Sequence, residues 1–302
     1  MNLSRFLQLI RWQNIVLIWL MQIIVFYLYI KPLCGPQTYT YDIFIVFILA
    51  IGCSIGAGNL LNDIVDQESD SLNSKRISIV GQSVSESLAW RYYYILLSLS
   101  VILSITGVIL GWPILILVYI IIINILLYFY SLKWQNSVLI GNITIAFLCS
   151  SAIWIITSLI PDCNLSFNVH FQDKTNIIIW GYTIMAFFIH LIREIIKDLE
   201  DRDFDIKAGV YTLASKPIAM VKIITNSLIV LLATVILGQL YLLTPFIDSQ
   251  QMTVGLAILM IPLVVITIIF NNPVRSNTYS FLSKLIKVYI IFSLLLLILW
   301  QK

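Results

Sequence analysis

Charged residues are scarce in this sequence: Asp, Glu, Lys and Arg make up 11% of its 302 residues, against about 25% in a soluble domain. Histidine occurs twice and cysteine four times, without the spacing of a metal site, which argues against a zinc or haem centre. The net charge of +3 is too small to indicate a polyanionic partner. Apolar residues make up 60% of the chain, more than a globule of this size can hide from water. The composition excludes a soluble enzyme, a disordered protein and a nucleic-acid-binding protein.

Long apolar segments recur along the whole chain. A bilayer core requires about 20 mostly apolar residues per helix, and nine segments satisfy that requirement. We therefore predict an all-α integral-membrane protein, a bundle of nine transmembrane helices formed by a single domain over residues 1–302. The predicted spans, numbered 1 to 9, cover approximately residues 14–30, 43–61, 92–111, 113–132, 138–160, 176–196, 218–241, 252–270 and 281–300.

Basic residues lie almost entirely on one side of the predicted membrane. Because successive spans alternate in direction, the N-terminus shares a side with the loops that follow spans 2, 4, 6 and 8. That side carries 15 of the 18 Lys and Arg residues, and the other side carries Lys31, Lys174 and Lys302. The positive-inside rule then makes the N-terminus cytoplasmic and puts the C-terminus on the opposite side of the cell membrane. Cys34 and Cys163 share that opposite side, and the sequence leaves open whether they pair.

The first of two acidic clusters follows span 2, at its cytoplasmic end. Asp63, Asp66 and Asp70 fall on one face of a continued helix, because the second and third lie three and seven residues after the first. Asn59 and Asn62 extend that face into the membrane. Like charges on one helix face repel each other, and acids near a bilayer are costly. The cluster therefore predicts a bound cation.

The second acidic cluster follows span 6 and repeats this arrangement on the same side of the membrane. Charges at helix ends are usually solvated, and that interpretation stays open for either cluster taken alone. Two matching clusters on one side favour a cationic ligand held between them. The acids of the second cluster, spaced by four, three and four residues on one helix face, are Glu194, Asp198, Asp201 and Asp205.

The ligand types in both clusters indicate a hard metal ion. Carboxylates and amides without His or Cys suit Mg²⁺, which usually takes one or two carboxylates, several waters and substrate phosphates. Basic residues among the acids have the charge to bind the same phosphates. We therefore predict a diphosphate held through Mg²⁺ between the two helix ends, with its hydrocarbon tail in the apolar bundle. The basic residues concerned are Lys75, Arg76, Arg193, Lys197 and Lys207.

Both clusters resemble motifs of a known family, the UbiA superfamily of intramembrane prenyltransferases. The first cluster reads Asn62-Asp63-x-x-Asp66-x-x-x-Asp70, like the family's NDxxDxxxD motif. The second cluster is similar to the family's second motif, which has a DxxxD core. The resemblance covers almost the whole chain and implies the same count of nine helices. Weaker family features occur in family order: Arg11-x-x-Asn14, Tyr130-Ser-Leu-Lys133, Gly141-Asn142 and Ser283-Lys284-x-x-Lys287.

The resemblance implies a reaction and roles for the matching residues. In this family an allylic isoprenyl diphosphate binds through Mg²⁺, diphosphate leaves, and the resulting carbocation alkylates an acceptor. Tyr130 would face the reacting carbon, and Lys133 with Arg193 and Lys197 would neutralise the leaving diphosphate. Asp66, Asp70 and Asp198 would be catalytic as well as metal-binding. The implied metal ligands are Asn62, Asp63, Asp66, Asp70, Asp198, Asp201 and Asp205, and the implied substrate-binding residues are Arg11, Asn14, Asn59, Lys75, Arg76, Asn142, Arg193, Lys197 and Lys207.

The acceptor is less well defined than the donor. The run Arg193-Glu194-Ile-Ile-Lys197-Asp198 resembles the group of the superfamily that attaches a geranylgeranyl chain to a prenylglycerol phosphate in membrane lipid synthesis. An aromatic acceptor, such as 4-hydroxybenzoate or another quinone or tetrapyrrole precursor, is the first alternative. A cation-coupled transporter is an alternative from another class, and it predicts acids in mid-span and broken helices. The sequence leaves the prenyl chain length, the catalytic base and the oligomeric state open.

Overall fold

Helices make up nearly all of the computed structural model, which describes residues 3–33, 41–67, 79–159, 173–207, 209–272 and 277–301. Nine helical segments in these ranges are long and apolar enough to cross a membrane, as predicted. We number their helices α1 to α9, and a short helix, Leu3–Leu9, precedes them. The single domain over residues 1–302 stays a prediction. The bounds are α1 Trp12–Val25, α2 Tyr41–Val65, α3 Glu86–Ile109, α4 Ile114–Leu132, α5 Ile140–Trp154, α6 Lys174–Lys207, α7 Ile218–Leu243, α8 Ser249–Asn271 and α9 Asn277–Leu299.

The observed helices differ from the predicted spans mainly at their ends. The third begins at Glu86 instead of residue 92, and the sixth runs to Lys207 instead of residue 196. Polar residues continue these helices beyond the apolar stretch by which a span is recognised. The first span continues through a π-helical turn, Phe26–Ile30, and the fifth through a 3₁₀ turn, Ile155–Ser158. As a result, α6 carries the second acidic cluster on one unbroken helix of 34 residues.

The outer surface of the bundle is strongly apolar. Ile109, Ile223 and Tyr241 are 79%, 68% and 76% exposed, respectively. Apolar surface on this scale is unfavourable in water, but it suits the hydrocarbon interior of a bilayer, where helices satisfy their own backbone hydrogen bonds. With nine candidate spans in the ranges that the structure describes, the chain is therefore a multi-pass membrane protein.

The tight turn between α3 and α4 depends on two glycines. Gly111 has a φ of +109°, a conformation that disfavours a side chain, and it reverses the chain. Gly107 makes room for the ring of Trp112, because a Cβ atom on Gly107 would lie 2.2 Å from that ring. The buried Trp112 indole donates to the carbonyl of Ile43 at 3.2 Å. This bond ties the turn to the first residues of α2.

Two groups of helices, joined by α1, enclose the interior of the bundle. α2 packs against α3 and α4, and α6 packs against α5, α7 and α9. α1 contacts α2, α5 and α9, so it closes the ring between the two groups. Because successive helices alternate in direction, the ends of α2, α4 and α6 lie on the same side as the starts of α1, α5 and α9. This side of the bundle, called the polar side below, carries both acidic clusters.

Candidate functional site

A cavity of about 710 Å³ extends from the polar side into the bundle. Its polar end is lined by carboxylate, amide and basic side chains, and its deep end by apolar and tyrosine side chains. On α6 the lining extends from Asp205 to Tyr182, and the helix between Asp198 and Tyr182 is about 24 Å long at 1.5 Å per residue. The volume lies within the range of pockets that hold one ligand of moderate size. The cavity is therefore suited to one long molecule with a polar head.

Most of the residues predicted from the sequence meet at the polar end of this cavity. They come from the turn before α1 and from α1, α2, α4 and α6, which are distant in the chain. The sequence-predicted residues that line the cavity are Arg11, Asn14, Asn59, Asn62, Asp63, Asp66, Tyr130, Arg193, Lys197, Asp198, Asp201 and Asp205.

The chain segment before α1 is fastened to α2. The Arg11 Nη2 atom donates to Asp63 Oδ1 at 2.7 Å, and Asn59 Nδ2 donates to the backbone carbonyl of Ile10 at 3.0 Å. Arg11 has a left-handed φ of 52°, which is uncommon for a residue with a large side chain. The ion pair and the hydrogen bond from the Asn59 amide hold this turn in place. They fix the Arg11 guanidinium at the wall of the cavity.

Asp66 is oriented by two side-chain amides. Asn62 Nδ2, one turn earlier, donates to Asp66 Oδ2, and Gln135 Nε2 donates to Asp66 Oδ1 at 2.7 Å. Gln135 belongs to a 3₁₀ turn, Trp134–Asn136, between α4 and α5, and it lines the cavity itself. Both carboxylate oxygens of Asp66 therefore accept an amide hydrogen bond, which holds the carboxylate at the polar end.

Asp198 has a similar partner on α5. Asn142 Nδ2 donates to Asp198 Oδ2 at 2.8 Å. Asn142 is 6% exposed and is not part of the cavity lining. The predicted substrate-binding residue Asn142 therefore lies behind Asp198, where it positions the carboxylate. Asp201 and Asp205 follow on the same face of α6 and line the cavity.

Tyr130 lies where the polar end of the cavity meets its apolar part. It is half-buried in the last turn of α4, and the next lining residue along that helix is Leu127. The carboxylates of Glu194, Asp198 and Asp66 interact electrostatically with the Tyr130 hydroxyl. Tyr130 therefore lines the cavity between its carboxylate end and its apolar wall.

Several predicted residues are not brought to the cavity. Lys133 and Lys207 are exposed and are not part of the lining. The physical reason is their position: Lys133 follows the last residue of α4, and Lys207 is the last residue of α6. The predicted residues Asp70, Lys75 and Arg76, and the cysteines Cys34 and Cys163, lie outside the described residues.

Gln135 and Lys287 are among the lining residues that the sequence analysis did not predict as site residues. Gln135 lies two residues after Lys133, inside a segment that the family resemblance marks, but one glutamine in a turn has no pattern of its own. Lys287 lies in the resembling segment at the start of α9, one helical turn after Lys284. Helix periodicity alone does not tell which of these two lysines faces inward. The contact between α9 and α6 decides it.

The oxygen ligands at the polar end fit a hard cation that shares its coordination with a phosphate. Asn62, Asp63, Asp66, Asp198 and Asp201 all present oxygen atoms to one cavity. Within the ranges that the structure describes, no three His, Cys, Asp or Glu side chains converge to form a metal cage on their own. Mg²⁺ commonly binds with one or two carboxylates, waters and substrate phosphates. The residues therefore fit a magnesium ion that arrives with a diphosphate.

The cavity, apolar in its depth and acid-lined at one end, defines a membrane protein with an interior suited to an amphiphile with a charged head. Residues 16–297 match the UbiA prenyltransferase family, and the chain belongs to that family. It is 31% identical over 194 residues to digeranylgeranylglyceryl phosphate synthase of Methanosphaera stadtmanae, covering 63% of this chain and 64% of the relative. It is 30% identical over 174 residues to the synthase of Methanobrevibacter smithii, covering 56% of each. The chain thus spans about 56–64% of the length of these relatives.

Solved structures share the fold over nearly the full chain. A structure from work on digeranylgeranylglyceryl phosphate synthase in membranes has a TM-score of 0.66 at 22% identity, covering 99% of this chain and 98% of that one. A UbiA homologue from Archaeoglobus fulgidus, bound to GPP and Mg²⁺, has a TM-score of 0.65 at 15% identity, covering 97% and 99%. At these identities the likeness is one of fold.

Proposed function

We propose that this protein transfers an isoprenyl group, geranylgeranyl, from its diphosphate to a prenylglycerol phosphate in membrane lipid synthesis. The proposal rests on the cavity, which is lined by carboxylates of the α2 and α6 motifs at one end and by apolar side chains along the rest of its length. An isoprenyl diphosphate is divided in the same way, into a multiply charged head and a hydrocarbon tail. Membership of the UbiA prenyltransferase family supports the reaction class.

Mg²⁺ is the proposed cofactor. The oxygen ligands of the polar end suit it, and the Archaeoglobus fulgidus homologue was solved with GPP and Mg²⁺. When bound, the ion supplies positive charge that stabilises a departing diphosphate. Gln135 and Asn142 keep Asp66 and Asp198 oriented before the ligand arrives, which is how outer hydrogen bonds support metal ligands. The residues that would hold the ion are Asn62, Asp63, Asp66, Asp70, Asp198, Asp201 and Asp205.

The transfer breaks the bond between C1 of the isoprenyl chain and the diphosphate oxygen, and the electron pair leaves with diphosphate. A bond forms between C1 and the acceptor hydroxyl oxygen, and the hydroxyl proton passes to a base, which is a motif carboxylate, a substrate phosphate or water. Tyr130 stabilises positive charge on the allylic carbon through its ring face. Arg11, Arg193 and Lys197 provide positive charge for substrate phosphate groups.

The names of the relatives favour a glycerol phosphate acceptor, since both Methanosphaera and Methanobrevibacter relatives are digeranylgeranylglyceryl phosphate synthases. An aromatic acceptor requires the same donor chemistry, so one experiment compares the two. We do not retain the transporter alternative. The helices α2 and α6 are unbroken within their described ranges, and the acidic motifs lie at their ends.

We further propose that the cavity opens to the cytoplasm. Its polar end lies on the side that carries 15 of the 18 basic residues, which the positive-inside rule assigns to the cytoplasm. Fusions at the C-terminus test this: we expect alkaline phosphatase to be active there and green fluorescent protein to be dark. A fluorescent C-terminal fusion would contradict the proposed orientation.

A prenyl-transfer assay on the purified protein in detergent tests the proposed reaction. Radiolabelled geranylgeranyl diphosphate is offered with Mg²⁺ and either geranylgeranylglycerol phosphate or 4-hydroxybenzoate. We expect label in the glycerol lipid, and none after EDTA treatment. Label only in the aromatic acid would overturn the acceptor and keep the mechanism.

A matched pair of carboxylate variants on α2 completes this test. Asp66→Ala removes a carboxylate of the cavity, and we expect a loss of about 100-fold or more. Asp42→Ala removes an exposed carboxylate at the other end of the same helix and should leave the rate unchanged. Equal rates in both variants, with donor binding that ignores Mg²⁺, would overturn the diphosphate site.

A further inference from the structure

Four Lys and Arg side chains line the cavity, and they differ in how many carboxylates they contact. Arg11 forms its ion pair with Asp63 on the α2 side. On the α6 side, Arg193 Nη1 donates to Glu194 Oε1, while the buried Arg193 Nε has no hydrogen-bond partner. Lys197 and Lys287 make no hydrogen bond or ion pair with any residue in the described ranges, although Glu194 is within electrostatic range of both lysines and Asp198 is within range of Lys197. Two carboxylates, Glu194 and Asp198, therefore face three cations, and Asp198 is also a proposed metal ligand.

These three cations form a compact group, called the basic patch below: Arg193, Lys197 and Lys287. Arg193 and Lys197 are four residues apart on α6 and so occupy one helix face. Lys287 comes from the first turns of α9, which packs against α6. All three side chains line the same cavity, and the charge of Lys287 is within electrostatic range of Arg193 and Lys197.

The basic patch carries three positive charges, against the two carboxylates, Glu194 and Asp198, with which these charges interact. Holding cations in a partly desolvated cavity costs free energy unless an anion accompanies them. The carboxylates of α2 and the tip of α6 instead suit a metal with its diphosphate. A phosphate monoester carries two negative charges and three acceptor oxygens without needing a metal. These match the Arg193 Nε–H, which has no hydrogen-bond partner, and two lysines that form no ion pair within the described ranges.

We propose that Arg193, Lys197 and Lys287 bind the phosphate group of the acceptor lipid, so that this patch selects a phosphorylated acceptor. The proposal rests on the proposed transfer reaction and adds to it a second phosphate site, distinct from that of the donor diphosphate. Lys287 is a binding residue in this assignment. A neutral or aromatic acceptor gains nothing from the patch.

The test compares Lys287→Met with Lys284→Met. Lys284 lies one turn away on the same helix and is exposed, as Lys287 is, but unlike Lys287 it is not part of the cavity lining. Each variant is assayed with geranylgeranylglycerol phosphate and with unphosphorylated geranylgeranylglycerol. For Lys287→Met we expect KM for the phosphorylated acceptor to rise about 10- to 100-fold, the range for a hydrogen bond to a charged group. KM for the donor and turnover with the unphosphorylated acceptor should stay unchanged.

Lys284→Met should behave like the wild type, and Lys287→Arg should recover most of the affinity. A rise in donor KM equal to that for the acceptor would overturn the proposal, because Lys287 would then serve the diphosphate. Unchanged constants in Lys287→Met would also overturn it.

A binding measurement separates this proposal from the transfer reaction. Without donor, the phosphorylated lipid should raise the melting temperature of the wild-type protein more than the unphosphorylated lipid does, and Lys287→Met should lose that difference. If this difference is present but no acceptor is labelled, the phosphate site stands and the proposed reaction fails. If the two lipids shift the melting temperature equally, the phosphate site fails.

Discussion

A Cβ atom at Gly141 would lie 2.6 Å from the carbonyl oxygen of Trp134, closer than real side chains approach a backbone atom. This contact lets the 3₁₀ turn Trp134–Asn136 lie directly against the first turn of α5. The turn presents Gln135 to Asp66, and α5 presents Asn142 to Asp198. One glycine therefore supports both of the amides that orient the two acidic clusters.

Gly141→Ala should lower both stability and activity. The added methyl group meets backbone, which cannot rotate away, and such overpacking typically costs about 1–3 kcal/mol. Gly238→Ala is the control, since no atom lies within 4 Å of a Cβ there and Ala is favoured over Gly inside a helix. We expect a lower melting temperature in detergent and slower prenyl transfer for Gly141→Ala only. A Gly141→Ala protein with wild-type values would show that the contact is not needed.

Asn142→Ala should slow transfer without removing any group from the cavity wall. Asp198 would lose the amide that fixes it, and partners of this kind typically contribute about 10- to 100-fold to metal affinity or activity. Asn142→Asp should be worse, because two carboxylates would face each other. The apparent affinity for Mg²⁺, measured from rates at increasing metal concentration, checks both changes. Unaltered Mg²⁺ dependence in Asn142→Ala would contradict the positioning role.

Tyr130 should contribute through its ring and not through its hydroxyl. Tyr130→Phe keeps the ring face, and we expect a nearly unchanged rate. Tyr130→Leu removes the face, and a cation–π contact of about 1–2 kcal/mol corresponds to roughly 5- to 30-fold in kcat. Single-turnover rates with saturating donor make the comparison. A large loss in Tyr130→Phe would point to a role for the hydroxyl in proton transfer.

Tyr182 should limit the length of the isoprenyl tail. It is 4% exposed, it lines the deep end of the cavity, and its hydroxyl donates to the carbonyl of Ser293 at 2.6 Å. Tyr182→Ala should raise kcat/KM for a C25 donor relative to a C20 donor by about tenfold or more. Tyr182→Phe, which keeps the ring, and Tyr241→Ala, on the lipid-facing surface, should keep the wild-type ratio. An unchanged ratio in Tyr182→Ala would place the floor of the tail site elsewhere.

Most of the fold could be predicted because every span in a bilayer must satisfy its own backbone hydrogen bonds. Long apolar segments such as those that became α4 and α8 have no alternative in lipid but helix. The ends were less predictable: the acids of α6 continue its helix to Lys207, past the point where hydropathy falls. Backbone hydrogen bonding, and not hydropathy, decides where such a helix stops.

The site was predictable where residues share a helix face and unpredictable where they meet across helices. Asp63 and Asp66, or Asp198 and Asp201, follow directly from helical spacing. Gln135 could not be found in this way, because its contact with Asp66 depends on how the α4–α5 turn packs against α2. Lys133 was wrongly predicted to reach the site for a related reason. It lies three residues after Tyr130, which suggests a shared helix face, but the helix ends between the two residues.

Because α6 is one unbroken helix, it fixes the distance between the two ends of the cavity. Tyr182 at the floor and Asp198 at the reacting end are held about 24 Å apart by one rigid rod, so no loop adjusts the distance between them. Inserting residues would lengthen the rod by 1.5 Å each while rotating the acids off their face. Family members that handle longer or shorter tails are therefore expected to differ in side-chain volume at the level of Tyr182, with the length of the sixth span unchanged.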